Sequence, residues 1–309
     1  MNQKELLQRV GSVEQIGGVR DFIYNDGRAK GVRAIEISTG TLRLTILPDR
    51  CMDIAQAEFC GKNIAWLSKT GVTAPQFYEK DGTSWLRGFF GGLVTTCGLK
   101  NIGRPTAEQG LHGRMANLPA EKVSVSAQWE GEEYVMRVSG EMRECAVFGE
   151  NLLLRRTITA KLFSDEFTLE DTVINQGFRT EPIALCYHCN FGYPLVDEGA
   201  KILNVPDDIA PITAPIPGKE EECIEVDLPE NCATVGIENG EMAAYLTFSK
   251  DTLPKFLVWK MLGESEYTVG LEPRTTNLGG DNIAANGEFV ELAPFAEHRT
   301  ALRFSFVKK

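Results

Sequence analysis

The chain has 309 residues, of which 43% are hydrophobic and 24% are charged, and its formal net charge is −11. That length allows a large buried core, and the interspersed charge without a basic patch argues against nucleic acid or an anionic membrane as a partner. No apolar run reaches the roughly 18 residues of a membrane-spanning helix, and no targeting segment is evident, so we expect a cytoplasmic location.

The first fifty residues predict a short helix followed by strands. Residues 3–10 are typical of a helix, and Ser12 and Gln15 after it have the spacing of a capping box. Apolar and polar residues alternate over 32–37 and 42–47, which predicts two half-buried strands joined by a turn at Gly40.

Residues 68–120 interrupt this pattern, because they are rich in Gly, Thr and Pro and show little periodicity. Long irregular segments within a compact domain usually carry function, so we expect loops that line a binding site. Further strands are predicted at 123–129, 134–139, 152–162, 167–174, 183–187, 243–248, 256–259, 267–271 and 301–306. Many strands without alternating helices predict an all-β fold, a large antiparallel sandwich, with residues 1–309 as a single domain.

The stretch around His188 is the first candidate for chemistry. It follows an apolar run and precedes a Gly/Pro turn, and His188 and Asn190 share one face if the stretch is a strand. Histidine exchanges protons near neutral pH, so His188 is a candidate acid or base. The alternative is a core histidine whose ring nitrogens bind backbone groups.

Glu272 is the second candidate, because it ends an apolar strand just before Pro273. Charged side chains are seldom buried without a partner. Glu272 is therefore either a base whose pKa is raised by burial or one half of an ion pair with Arg274.

His112 lies in a glycine-flanked loop that also contains Arg114. Glycine allows the backbone to approach a ligand closely, and histidine with arginine can hold sugar hydroxyls or a phosphate. A tight surface turn is the alternative explanation.

Metal and redox chemistry fit the sequence less well. The third histidine, His298, lies in a polar segment, and no two histidines have the local spacing of metal ligands. The Cys186 and Cys189 pair has C-x-x-C spacing, and a redox motif needs a helix that begins after the first cysteine. The neighbouring residues are strand-like and Pro194 follows, which argues against such a helix. We therefore predict no metal and free thiols.

Five short motifs, taken in order, resemble the aldose 1-epimerase (galactose mutarotase-like) superfamily, and more closely its bacterial aldose-epimerase-like branch of unknown substrate. The motifs span most of the chain from about residue 43. They are Leu-Pro-Asp-Arg at 47–50, Phe-Gly-Gly-Leu at 90–93, Gly-Leu-His-Gly-Arg at 110–114, Val-Phe-Gly-Glu-Asn at 147–151 and Tyr-His-Cys-Asn-Phe-Gly at 187–192.

The resemblance implies a β-supersandwich and assigns roles to three residues. His112 corresponds to a substrate-binding histidine, His188 to the general acid and Glu272 to the general base. The sugar-binding arginine of the mutarotases has no counterpart in the matching stretch, residues 95–100. Arg50 and Arg114 are the predicted replacements, and Asn190 is a further predicted contact with the sugar.

The resulting hypothesis is an isomerase that interconverts the α and β anomers of a free aldose. The acid and base would act from opposite edges of the sugar, no cofactor is required, and Trp85, Phe90 or Phe191 would stack on the sugar ring. The alternative is a carbohydrate-binding or sensing protein that has lost turnover, and a third possibility is an isomerase or lyase acting on a modified sugar. The predicted partner is a small sugar, and the oligomeric state stays open.

Overall fold

The fold is almost entirely β-structure, as described by a computed structural model for residues 2–277 and 289–309. Its one α-helix in this part of the chain, α1, spans Gln3–Leu7. The strands, in chain order, are β1 Gly18–Ile23, β2 Arg33–Ser38, β3 Leu42–Leu47, β4 Asp53–Phe59, β5 Lys62–Asn63, β6 Thr95–Leu99, β7 Glu121–Glu130, β8 Glu133–Cys145, β9 Asn151–Lys161, β10 Glu166–Asn175, β11 Glu181–Phe191, β12 Lys201–Leu203, β13 Glu222–Glu225, β14 Cys232–Glu238, β15 Met242–Ser249, β16 Lys255–Gly263, β17 Glu266–Arg274, β18 Val290–Leu292 and β19 Glu297–Lys308.

The strands form three antiparallel sheets. A five-stranded sheet runs β1-β2-β3-β4-β5, and an eight-stranded sheet runs β12-β14-β15-β19-β10-β9-β8-β7. The third sheet runs β13-β16-β17-β11-β18, and β6 also pairs with β11. Buried side chains from all three sheets belong to one continuous hydrophobic core, so the predicted all-β antiparallel fold is confirmed.

Most of the predicted elements exist, with shifted ends. The helix stops at Leu7, earlier than predicted, and a capping box of Asn2 and Glu5 closes its N-terminus. Ser12 instead caps a separate single turn of 3₁₀-helix at Val13–Gln15. The prediction omitted eight of the described strands: β1, β4, β5, β6, β12, β13, β14 and β18. Of these, β5, β12, β13 and β18 have only two to four residues, and the others lack a long alternating pattern.

The irregular segment 68–120 packs as loops beside the six-stranded sheet. It contains β6 and short 3₁₀-helices at Pro75–Phe77, Ser84–Gly88 and Met115–Asn117. Backbone hydrogen bonds join parts of this segment that are far apart in the sequence. For example, Leu111 N donates to Gly82 O at 3.0 Å. None of the helices within residues 2–277 and 289–309 has the length and apolarity to cross a membrane.

A fully buried ionic network joins the three sheets. Arg156 on β9 donates to Asp53 Oδ1 on β4 at 2.8 Å and to both carboxylate oxygens of Asp171 on β10, at 2.9 and 2.7 Å. It also donates to Thr96 Oγ1 on β6 at 2.8 Å, and Tyr187 on β11 donates to Asp171 at 2.7 Å. The buried charged groups of the network thus find their hydrogen-bond partners within the protein, as a charge removed from water requires.

We predict that Arg156→Met lowers the free energy of unfolding by about 3–5 kcal/mol, because it leaves two buried carboxylates without their cation. The neighbouring Arg155 is a matched control, since it faces solvent and pairs with Glu141 at 3.0 Å. Arg155→Met should cost less than about 1 kcal/mol. Urea denaturation of the two variants measures the difference, and equal losses would contradict the structural role of Arg156.

Candidate functional site

A cavity of about 710 Å³ lies on the face of the six-stranded sheet that points towards the loops of residues 83–112. Strands β11, β13, β16 and β17 form its floor, and the loops form its walls. Its lining residues are Thr83, Trp85, Leu86, Phe89, Gly103, Arg104, Pro105, Leu111, His112, His188, Glu221, Cys223, Glu225, Leu257, Trp259 and Glu272. We call this space the His188 cavity.

The strand register brings His188 and Glu272 together. Cys186 pairs with Arg274 and Cys189 with Leu271, so His188 on β11 lies across from Glu272 on β17. Residues opposite each other in an antiparallel pair point to the same face. The resulting distance between His188 Nε2 and Glu272 Oε1 is 3.2 Å, and both side chains are buried.

The two groups are therefore side by side at the cavity floor, in contrast to the predicted placement on opposite edges of a sugar. Cys186, two residues before His188 and on the same face, donates to the other oxygen, Glu272 Oε2, at 3.7 Å. Both oxygens of the carboxyl group are thus held, and one of them is held by the histidine.

A glycine makes this arrangement possible. Gly270 lies between Asn190 and Trp259 in the cross-strand register. A Cβ atom at Gly270 would meet Glu272 Oε1 and Trp259 Cβ at 3.1 Å each. Any side chain here would displace either the carboxyl group or the indole that walls the cavity.

Burial shifts the pKa values of the pair in opposite directions. Desolvation lowers the pKa of His188 from 6.5 to about 4, and this effect exceeds the opposing effects of the Asn190 side chain and of the charge of Glu221. Desolvation raises the pKa of Glu272 from 4.5 to about 7, against the opposing charge of Arg274. Apolar surroundings disfavour the charged form of each group, and the rings of Phe89 and Trp259 lie 5.3 and 5.0 Å from the His188 ring.

His112 also lines the cavity, as predicted for its loop. Its backbone adopts φ = 58°, and its Nδ1 lies 2.8 Å from the carbonyl oxygen of Ile102. Nδ1 must carry the hydrogen to bind a carbonyl, which leaves Nε2 as an acceptor in the neutral ring. Burial, and then the nearby His188, lower the pKa of His112 to about 4, so the neutral ring dominates at pH 7.

The two predicted arginines do not line the His188 cavity. Arg50 is buried and donates to the backbone carbonyls of Ala116, Thr73 and Gly88 at 2.6, 2.5 and 3.0 Å. All three nitrogens of its guanidinium are thereby used, and the side chain holds the loops of residues 68–120 together. This placement gives no support to a substrate-binding role for Arg50.

Arg114 lies next to the cavity loop but donates to Gln109 at 3.3 Å, outside the lining residues. Asn190 shares its strand face with His188, as predicted, and its amide donates to the carbonyls of Gly92 and His188 at 3.0 Å each. Asn190 therefore supports the loop and strand beneath the cavity, and its Oδ1 has no partner within the described residues.

The alternative ion pair between Glu272 and Arg274 is absent from the described part of the chain. Arg274 pairs with Glu225 instead, and Glu272 contacts His188 and Cys186. Of the arginines in the described ranges, Arg104, an exposed residue of the loop wall, is the one that lines the cavity.

Several lining residues were not predicted from the sequence. Trp259 walls the cavity, and its indole nitrogen donates to Glu221 at 2.8 Å. Trp85 was predicted as an aromatic contact and does line the cavity, whereas Phe90 and Phe191 are fully buried and Phe89 lines it instead. The sequence did predict a strand at 256–259 that contains Trp259. Placing Trp259 beside Glu272, however, requires knowledge of how β16 pairs with β17.

The remaining titratable candidates lie elsewhere or form no cluster. His298 is on β19 in the eight-stranded sheet, 3.2 Å from the carbonyl oxygen of Thr252. Residues 2–277 and 289–309 contain no group of three His, Cys, Asp or Glu side chains arranged to hold a metal ion. All eight cysteines are free thiols, four of them buried and four exposed.

Comparison with solved structures identifies the fold. The structure of a "putative aldose 1-epimerase" from Klebsiella pneumoniae matches with a TM-score of 0.88 at 22% identity, covering 99% of this chain and 86% of that one. A galactose mutarotase-like protein from Clostridium acetobutylicum matches at a TM-score of 0.68 and 14% identity, over 96% of this chain and all of that one. Galactose 1-epimerase from Lactobacillus acidophilus matches at a TM-score of 0.61 and 11% identity, over 94% of this chain and 99% of that one.

The sequence itself matches one family over residues 29–306, the domain of unknown function DUF4432. No curated protein matches the sequence. The predicted resemblance to aldose epimerases is confirmed at the level of the fold. The sequence identities to these structures are 11–22%, so the likeness is one of fold alone. The chain belongs to the DUF4432 family and has the galactose mutarotase-like fold.

Proposed function

We propose that the protein is an aldose 1-epimerase-like isomerase that interconverts the α and β anomers of a free aldose by opening and closing the ring. The observation that carries the proposal is the contact of 3.2 Å between His188 Nε2 and Glu272 Oε1 at the floor of a cavity large enough for a sugar. Ring opening needs one proton acceptor for the anomeric hydroxyl and one proton donor for the ring oxygen.

Adjacent groups suit this reaction because both reacting oxygens are bonded to the same carbon, C1. A donor and an acceptor in contact with each other can reach the hydroxyl and the ring oxygen together. Closing the ring reverses the two transfers, so each group acts once as donor and once as acceptor in a full cycle. His112 Nε2, an acceptor facing the same cavity, would orient the sugar through one of its hydroxyls.

The protonation state of the pair sets when this chemistry is possible. Of the protons that titrate, the pair holds two below about pH 4, one between about 4 and 7, and none above about 7, where the neutral imidazole keeps its single N–H. Only the form with one proton contains both a donor and an acceptor. Burial places that proton on Glu272, which then donates to the ring oxygen while His188 accepts. The tautomer with the roles exchanged, His188 as acid and Glu272 as base, has the same number of protons.

Binding without turnover is the second candidate function. It is favoured by the cavity floor, where His188 Nδ1 has no hydrogen-bond partner among the described residues. An acid–base histidine is usually oriented by a second group on that nitrogen. A wild-type protein that binds sugars and leaves their anomer exchange at the spontaneous rate would establish this candidate over the epimerase.

Substitution of either member of the pair tests the epimerase directly. We predict that Glu272→Gln and His188→Asn each lower kcat/KM for anomer exchange by about 10²–10⁴-fold, the usual contribution of a positioned acid or base. Exchange is measured by saturation-transfer NMR on a panel of free aldoses. His298→Asn is the matched control, because this histidine lies in another sheet and should leave the rate unchanged. Full activity in either pair variant would exclude the mechanism.

The rate should depend on pH as a bell-shaped curve. We predict that kcat/KM rises through about pH 4, as the doubly protonated pair gains an acceptor, and falls through about pH 7, as the last proton is lost. The spontaneous rate measured at each pH without enzyme is subtracted. A plateau that continues to pH 9 would show that the pair does not need its proton.

The raised pKa of Glu272 also predicts a pH-dependent cost to stability. The folded pKa of about 7 exceeds the ordinary 4.5, so the cost is absent below about 4.5, grows between 4.5 and 7, and is complete above 7. Glutamine does not ionise. The stability of Glu272→Gln relative to wild type should therefore be greater at pH 8 than at pH 4.5, by up to about 3 kcal/mol.

Urea denaturation of wild type and Glu272→Gln at both pH values measures this change. Titrating groups that do not contact Glu272 cancel in the difference between the two proteins, which leaves the carboxyl group and its neighbour His188. A difference that stays constant from pH 4.5 to 8 would mean that the carboxyl group has an ordinary pKa in the folded protein.

A further inference from the structure

A second hollow of about 610 Å³ adjoins the His188 cavity. Four residues line both spaces: Leu86, Phe89, Glu221 and Trp259. The others that line the second space are Trp66, Ser68, Lys69, Thr70, Glu220, Met261 and Glu266. We call it the Trp66 lobe. Because four residues line both spaces, the two spaces lie side by side, and we call them together the cleft, with the acid–base pair at one end.

The cleft follows the direction of strand β16. Leu257, Trp259 and Met261 alternate along this strand and therefore point to the same face. Leu257 lines the His188 cavity, Trp259 lines both spaces, and Met261 lines the Trp66 lobe. Four residues of antiparallel strand cover about 13 Å, which is longer than a single hexose ring. The cavity of 710 Å³ already lies within the range of about 300–1,000 Å³ typical of drug-sized ligands.

The Trp66 lobe is built from rings that are held in place. The Trp66 ring lies 5.7 Å from the Phe89 ring and 5.8 Å from the Trp259 ring, and the backbone N–H of Trp66 donates to Asn190 O at 3.0 Å. A Cβ at Gly192 would lie 2.7 Å from Trp66 Cα, so the glycine is needed for this close packing. Rigid aromatic faces with polar neighbours suit the apolar face and the hydroxyl edge of a sugar ring.

The charge of the cleft selects against anionic ligands. Three carboxylates, those of Glu220, Glu221 and Glu266, line the Trp66 lobe, against one amine, Lys69. Lys69 is already paired with Glu266 at 2.5 Å. A phosphate or carboxylate in the lobe would face a net negative surface, whereas neutral hydroxyls would find acceptors there.

From these observations we infer that the substrate is a neutral reducing disaccharide, whose reducing-end sugar occupies the His188 cavity and whose second sugar occupies the Trp66 lobe. The inference rests on the proposed function, since that function places the free anomeric carbon beside His188 and Glu272. A sugar linked to the reducing unit through another hydroxyl would then lie in the adjoining Trp66 lobe, along β16 towards Met261.

The test compares maltose, cellobiose and lactose with glucose, galactose and glucose 6-phosphate. Anomer exchange by the wild-type protein is followed by saturation-transfer NMR at pH 6. We expect kcat/KM for at least one disaccharide to exceed that for every hexose by at least tenfold, with glucose 6-phosphate used least. Equal use of hexoses and disaccharides, or preference for the phosphate, would overturn the inference.

Two variants locate the second sugar. Met261→Trp should fill the Trp66 lobe, and Trp66→Ala should remove its main ring. Each should lower the ratio of disaccharide to hexose kcat/KM by at least tenfold. Trp129→Ala is the control, because Trp129 lies on β7 and packs on Tyr134 away from the cleft, and its ratio should stay at the wild-type value. An unchanged ratio in Met261→Trp would overturn the inference even if Trp66→Ala does not fold.

Failure of the proposed function is distinguishable from failure of this inference. If no sugar exchanges faster than its spontaneous rate, the epimerase proposal fails, and titration calorimetry with the same sugars decides the second sugar site. Tighter binding of a disaccharide than of any hexose, weakened at least tenfold by Met261→Trp, would support the site. Equal affinities would reject it.

Discussion

The rest of the structure depends on the buried guanidinium of Arg156. Its partners come from each of the three sheets: Asp53 from the five-stranded sheet, Asp171 from the eight-stranded sheet, and Thr96 from β6, beside β11. Hydrophobic contact alone does not fix how sheets are oriented, because apolar side chains tolerate repacking. A buried ion with a full set of hydrogen bonds tolerates little displacement, since each lost partner leaves a desolvated charge.

This network also determines where the acid–base pair points. Tyr187 donates to Asp171 from inside the core, and His188 is the next residue on the same strand. Neighbouring residues on a strand face opposite sides, so anchoring the tyrosine inward turns His188 outward into the cavity. A slip of one residue in β11 would exchange the two side chains and bury the histidine among the core residues. The register of one strand thus links stability to the site.

The sequence was sufficient for the fold class and for His112, His188 and Glu272 as neighbours in space, because alternation marks strands and the family resemblance orders the motifs. It was not sufficient for Trp259 and Glu221, whose position depends on the pairing of β13 with β16 and of β16 with β17. β16 and β17 form a hairpin, but β13 and β16 are distant in the chain, and no local pattern encodes their pairing.

Arg50 shows the opposite error. An arginine in a motif near loops suggests a ligand contact, yet its guanidinium is used entirely by backbone carbonyls of the irregular segment. A loop of that length has many carbonyls without strand partners, and one buried arginine supplies three donors to them. The path of the loops decides whether an arginine binds loop carbonyls or reaches a ligand. That path cannot be predicted from the amino-acid composition.

Buried polar atoms without hydrogen-bond partners lower the stability of the fold, and they are concentrated in one region. Within the described residues, five buried side-chain nitrogen or oxygen atoms lack hydrogen-bond partners, and four of them belong to His188, Asn190 and Arg274. All three residues lie on β11 and β17, around the contact between His188 and Glu272. Folded proteins rarely leave such atoms unpaired, and a random set would be scattered over all three sheets. Of the three residues, His188 lines the cavity, so a polar ligand there could supply a partner to its ring nitrogen, and the opposed pKa shifts of His188 and Glu272 are a pattern common at functional sites.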